Sequence, residues 1–216
     1  MDKISRKEFW LMLVCAGLVL LVAFQVVNSD NKDPNEPNEP TDPNIPSDPE
    51  ELLRNKWDAI VSILKNKDID QKAKEKKISK VISPIFDFPL MAKLSLGRKH
   101  WPKFTPPQRE KFTQLFAERL KKSYREKIAL YKDEKVFFKP KVQKKKTTYI
   151  PMELRYEDKK VAILYKLRKI EKRWKIYDVE IQGVSIILTY RSQFDEILRR
   201  GTVKDLLSRL EKPPDD

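Results

Sequence analysis

The chain predicts an α+β domain. Its apolar residues recur at helical spacing up to about residue 131, alternate with period two from residue 136 to 181, and return to helical spacing from residue 187. Helices placed before and after a run of strands, rather than between them, indicate segregated layers. Three of the four glycines, Gly97, Gly183 and Gly201, each fall at a boundary between these stretches.

Taken in order, Glu50–Asn66 carries Leu53, Trp57, Ile60, Ile63 and Leu64 on one helical stripe. Asp70–Ile82 forms a second helix through Ala73, Ile78, Val81 and Ile82, and Phe86–Leu96 a short third that Gly97 ends. Thr105-Pro106-Pro107-Gln108 has the capping-box pattern, with proline in the first turn. It opens the longest helix, striped by Phe112, Leu115, Phe116, Leu120, Tyr124 and Ile128 and ending near Tyr131.

Four strands come next. They are Val136–Val142; Thr148–Tyr156; Val161–Leu167 after a turn at Glu157-Asp158; and Trp174–Ile181 after a turn at Glu171-Lys172. Trp174 and Ile176 share one parity and Val179 and Ile181 the other, which places a bulge near Tyr177-Asp178. The result is a four-stranded antiparallel twisted sheet with one apolar face, packed with N-terminal and C-terminal helices. Val184–Tyr190 has strand propensity, yet Ile187, Tyr190, Phe194, Ile197 and Leu198 keep helical spacing. Gly201 and Thr202 separate that segment from a last helix bearing Leu206, Leu207 and Leu210.

The organisation ahead of the domain is distinct. Residues 1–27 contain the apolar run Phe9–Val27 behind Lys3, Arg6 and Lys7, which suits a signal peptide or an N-terminal transmembrane anchor and exports the remainder of the chain. The run is longer than the roughly 7–15 residues of a signal core and no A-x-A site lies beyond it, which favours the anchor. Residues 28–50 form an acidic linker with Pro34, Pro37, Pro40, Pro43, Pro46 and Pro49 at every third position. As polyproline II it would be a rod reaching about 60 Å; as a disordered spacer it would still be a tether. Residues 51–212 are the folded domain and 213–216 a tail.

Composition narrows the chemistry. Cys15 is the only cysteine and lies in the apolar run, so the domain holds no disulfide and no cysteine metal site. His100 is the only histidine, which excludes a His-based triad and a multi-histidine metal site. No glycine-rich phosphate cradle exists. The formal net charge is +14 although the linker is acidic, so the domain is the more basic part. Such a surface suits lipid headgroups or an acidic protein, and export makes nucleic acid the least suitable partner. What remains is apolar and aromatic surface on a sheet that helices cover. It is either simply the core or in part a pocket for a hydrophobic ligand, with no enzyme activity, metal or cofactor implied.

Two stretches carry a family resemblance. Phe86-Asp87-Phe88, Gly97-Arg98, Trp101, Gln108-Arg109, Phe112, Phe116 and Tyr124 form the first. The second runs from Arg173-Trp174-Lys175-Ile176-Tyr177-Asp178-Val179 through Gly183-Val184-Ser185 to Tyr190-Arg191-Ser192-Gln193-Phe194, with Gly201, Leu206 and Leu210 completing it. Over about residues 52–211 the chain resembles the MlaC family of toluene-tolerance, phospholipid-binding periplasmic proteins.

The resemblance implies a non-enzymatic carrier that moves phospholipids between inner and outer membranes. Its implied partners are an inner-membrane ABC transporter complex with an MCE-domain subunit and an outer-membrane lipoprotein–porin complex, and its ligand is phospholipid. The tails would sit in an interior pocket, where one long acyl chain represents on the order of 12 kcal/mol of burial. The expected lining is Val136, Phe138, Ile150, Met152, Leu154, Ile163, Tyr165, Leu167, Trp174 and Ile176 on the sheet, faced by Phe116, Leu120, Tyr124, Ile187 and Tyr190. Arg191 is expected to serve as a structural partner for a carboxylate such as Asp178. The front of the chain departs from the family pattern, since typical members are cleaved and soluble. Residues 9–27 are here expected to tether the domain to the inner membrane on its periplasmic side. The competing reading is a non-carrier periplasmic module that docks an acidic partner through its basic surface.

Overall fold

The computed structural model describes residues 46–128 and 134–212, without the side chains of residues 122–128. Residues 1–27, the linker up to residue 45, Tyr124 as a side chain, the expected helix end at Tyr131 and the tail lie outside the described residues.

The first half is helical. Helix α1 is Pro49–Lys65, capped by Asp48, whose side chain accepts from the amides of Glu50 and Glu51. Pro49 at the first turn thus starts the helix rather than extending the linker. Helix α2, Gln71–Ile82, is capped by Asp70, and a 3₁₀ turn, Ser83–Ile85, comes after it. Helix α3, Phe88–His100, is capped by Asp87 and broken at Gly97, where φ is +64°. A second 3₁₀ turn, Trp101–Lys103, leads to α4, Pro106–Ile128. The expected box is present there: Thr105 N–H donates to Gln108 Oε1 at 2.9 Å and Gln108 N–H to Thr105 Oγ1 at 3.4 Å.

The sheet has six strands, not the expected four. The first expected strand divides into β1, Lys135–Phe138, and β2, Val142–Lys144, which pair with opposite ends of β3, Thr147–Tyr156. The break falls at Lys139-Pro140-Lys141, where proline has no N–H to continue a ladder. β4, Lys159–Ile170, and β5, Arg173–Ile181, continue the meander, and the two-residue β6, Val184–Ser185, closes the far edge. The bulge lies where parity placed it. Leu167 faces Ile176 and Lys166 faces Asp178, so Tyr177 is the extra residue.

Ser185 ends β6 and caps α5, Ile186–Arg200, which decides the ambiguous segment: two residues are strand and the rest is helix. Helix α6, Val203–Glu211, starts in a capping box between Thr202 and Asp205. Gly201 has an extended φ of −146° rather than a left-handed one. Glycine leaves room there, since a Cβ would stand 3.0 Å from Asp205 Oδ2 and 3.3 Å from Ile197 O.

Helices α1, α3 and α5 lie against the sheet, while α6 packs on α4 and α5. The apolar face of the sheet buries Ile150, Met152, Leu154, Ile163, Tyr165, Leu167 and Ile176. The layers are also joined by hydrogen bonds at Asp87, whose N–H donates to Ile176 O at 2.8 Å and whose carboxylate accepts from Arg168 Nε at 2.6 Å. Among the described residues the core runs unbroken from Leu52 to Leu210, so residues 46–216 are expected to fold by themselves.

Candidate functional site

The interior has two halves. Between α1 and the sheet lies a cavity of about 20 Å³, bounded by Leu53, Trp57 and Ile60 of α1, Ile82 and Ile85, and Phe138, Met152, Tyr165 and Ile176 of the sheet. Lys56 and Trp57, both half-buried, form part of its wall. Its volume is about that of one water, although its wall is apolar on nearly every side. Burial pushes the Tyr165 phenol far above the ordinary tyrosine range.

The other half lies beneath α3 to α6 and is filled by aromatic rings. Phe116 stacks on Phe112 at 5.8 Å and meets Tyr190 edge-on at 5.2 Å, while Phe194 packs against all three. These rings close on one another in offset and edge-to-face pairs, and an open groove of about 530 Å³ flanks Tyr190 and Phe194 between α4, α5 and α6.

The expected lining is therefore distributed. Phe138, Met152, Tyr165 and Ile176 meet at the cavity. Ile150, Leu154, Ile163 and Leu167 are buried on the same sheet face beside it, and Val136 and Trp174 are half-buried towards opposite ends of that face. Phe116, Leu120, Ile187 and Tyr190 belong to the helical half. The sequence reading missed Leu53, Lys56, Trp57, Ile60, Ile82 and Ile85. The stripe on α1 was visible, but nothing in its period distinguishes a helix over a cavity from one over solid core. Ile85 sits in a 3₁₀ turn with no period to read.

Helix α1 is fastened over the sheet by few polar contacts. Trp174 Nε1–H donates to Ser47 O at 2.8 Å, Lys141 pairs with Asp48, and the Arg54 guanidinium lies 4.4 Å over the Phe138 ring. The Lys141 ammonium holds the Asp48 carboxyl below its ordinary value, against the opposing effect of burial.

Beside the bulge, buried Asp178 accepts from Ser185 Oγ at 2.8 Å, from Ile187 N–H at 3.3 Å and from Lys166 Nζ at 3.1 Å. Burial works against the Lys166 charge, but its bonds to Glu180 and Asp178 outweigh it and raise the pKa. Asp178 is therefore satisfied without Arg191, contrary to the sequence expectation. Arg191 instead donates from Nε and Nη2 to Leu94 O at 2.8 and 2.6 Å. Gly97 interrupts α3 just beyond Leu94 and leaves end-of-helix carbonyls to be satisfied from outside, and Arg191 takes one. The lone histidine, His100, is buried with Nε2 2.7 Å from Asp195 Oδ1. Among the described residues no group of three or more His, Cys, Asp or Glu could hold a metal ion, and no helix is long and apolar enough to cross a membrane.

Fold and interior together define a domain whose specialised feature is a sheet–helix apolar layer. The family model for the MlaC protein matches residues 54–212, and the chain belongs to the MlaC family. A curated relative, the toluene tolerance protein Ttg2D of Pseudomonas putida, is 24% identical over 126 residues, or 57% of this chain. The match spans about three fifths, 59%, of that relative's length. A solved structure, a phospholipid-binding protein from Ralstonia solanacearum in complex with a phospholipid, superposes with a TM-score of 0.68 at 24% identity, covering 76% of this chain and 95% of that one.

Proposed function

We propose that this protein is a non-enzymatic phospholipid carrier that takes acyl chains between α1 and the sheet. The observation that carries the reading is the apolar cavity there, within a chain of the MlaC family. Ligand pockets for molecules of this size measure roughly 300–1,000 Å³. Loading therefore requires α1 to move away from Phe138, Met152, Tyr165 and Ile176. The fastenings of α1 suit such a movement, because they are surface contacts of modest strength. Its apolar contacts would be replaced by those of the chain that enters, so opening and loading offset one another.

In this reading the lining comprises the sheet-face residues expected from the sequence together with Leu53, Trp57, Ile60, Ile82 and Ile85, and the ligand is a phospholipid with no cofactor. The carrier works in the periplasm, tethered to the inner membrane by residues 9–27 at the end of the acidic linker. It exchanges lipid with an ABC transporter complex carrying an MCE-domain subunit and with an outer-membrane lipoprotein–porin complex. The test is extraction. Residues 46–216, purified without detergent, should release phospholipid into organic solvent, and after delipidation should take it up again from liposomes. A folded domain that neither contains nor accepts phospholipid refutes the carrier. The mass of the full-length chain recovered from membranes tests the tether: loss of residues 1–29 rules it out.

A further inference from the structure

The β2–β3 and β4–β5 turns lie at the same end of the sheet, because Thr147 pairs with Arg168 and Ile170 with Arg173. Lys144, Lys145 and Lys146 are exposed at the first turn, and Lys169 and Lys172 at the second. Glu171 is the one carboxylate within these two turns. Lys145, Lys146 and Lys172 make no ion pair among the described residues. Along the middle of the sheet cations are matched: Lys139 pairs with Glu153, and Lys166 with Asp178 and Glu180. Five lysines thus meet one carboxylate at this end, whereas at the other Lys135, Lys159 and Lys160 surround Glu157 and Asp158, so the net positive charge is concentrated at the first. Trp174 stands at the same rim, half-buried, with Lys169 opposite it in register and Lys169 Nζ 5.7 Å from the ring centroid. It is on the parity of Ile176, so the inward apolar face of the sheet reaches the surface under this crown of lysines. Cations arranged around an amphipathic tryptophan match the chemistry of a bilayer interface, where phosphate meets acyl chain. A protein surface would be expected to answer these lysines with discrete carboxylates at matched positions, whereas a headgroup layer requires only density of charge.

We propose that this end of the sheet is the surface on which the domain meets an anionic phospholipid bilayer. The proposal rests on the carrier reading for its purpose but not for its physics. The opposite end of the sheet supplies a control: Lys135, Lys159 and Lys160 are exposed there around the acidic Glu157-Asp158 turn. Residues 46–216 are mixed with phosphatidylcholine vesicles with and without roughly one third phosphatidylglycerol, and the bound fraction is measured by sedimentation. The domain should prefer the anionic vesicles and lose that preference as salt is raised. Lys145→Glu/Lys146→Glu/Lys172→Glu should weaken binding on the order of a hundred-fold, since each lysine near an anionic surface contributes about five-fold. Lys135→Glu/Lys159→Glu/Lys160→Glu, with the same change in net charge, should leave it within about two-fold.

Both variants should keep their extractable phospholipid and their circular dichroism. Equal loss from the two triplets would overturn the proposal, as would a wild-type domain indifferent to anionic lipid, the result expected if the partner is an acidic protein. The expected vesicle pattern in a domain devoid of extractable phospholipid would support the surface and overturn the carrier reading.

Discussion

Replacing Ile176 with alanine tests whether the space between α1 and the sheet is where acyl chains go. Ile176 is 1% exposed and bounds the cavity. The substitution removes three carbons, worth about 2.4 kcal/mol of transfer free energy at about 0.8 kcal/mol each. Enlarging a cavity of about 20 Å³ adds a further term, for a total of about 3–4 kcal/mol in the delipidated domain. At roughly 2–4 °C per kcal/mol, the midpoint should fall by about 10 °C. In the phospholipid-loaded domain the incoming chain occupies the vacated volume, and the loss should shrink to less than half. Leu206→Ala, at a fully buried position on α6 away from the cavity, should cost about as much in both states. Thermal melts of both variants, loaded and stripped, decide the matter. Equal destabilisation of Ile176→Ala in the two states would refute the assignment of the chain to this cavity.

Three further outcomes concern the polar framework. Asp178→Ala leaves half-buried Lys166 with Glu180 alone and buried Ser185 Oγ without its acceptor, and should cost about 2–3 kcal/mol in denaturant unfolding. Arg191→Ala uncovers the Leu94 carbonyl at the α3 break and should cost about 2 kcal/mol, with Arg191→Lys restoring only part because one ammonium replaces two guanidinium bonds. Lys99, followed by His100, holds Asp195 at about 2 against its ordinary 3.8. A depressed carboxylate stabilises the fold above its unfolded value, and that stability is lost as pH falls from about 4 to about 2. Melting curves across that window should show an acid limb that Asp195→Asn flattens.

The legible features of the chain were those with a period or a cap. The caps at Thr105 and Thr202, the parity change at Tyr177 and the Gly97 break arise from chemistry within a few residues, whereas the caps at Asp48, Asp70 and Asp87 were not read. The split of the first strand was misread because Val136, Phe138 and Val142 keep one parity across Pro140, and parity does not reveal a missing donor. The partner of Arg191 was misread for a different reason. Asp178 is close in the sequence motif, whereas Leu94 lies 97 residues away, and backbone acceptors leave no mark in composition. The interior was legible as apolar but not as divided. Whether a buried residue meets rings or a gap depends on how α1 crosses the sheet, which no single segment encodes.

The divided first strand also affects how the molecule behaves among its own copies. An open sheet presents two edges on which a neighbouring chain could add a strand. On one, the lane of β1 and β2 is interrupted by exposed Lys139, Pro140 and Lys141, so no foreign strand finds a continuous run of donors and acceptors. On the other, the two-residue β6 covers only Glu180 and Ile181, and the rest of the β5 edge is interrupted by the Phe86–Ile176 bridge and the bulge at Tyr177. Neither border offers a template longer than a few residues. If α1 opens as proposed and exposes apolar surface, the domain is thereby guarded against the ordered self-association that an open sheet invites.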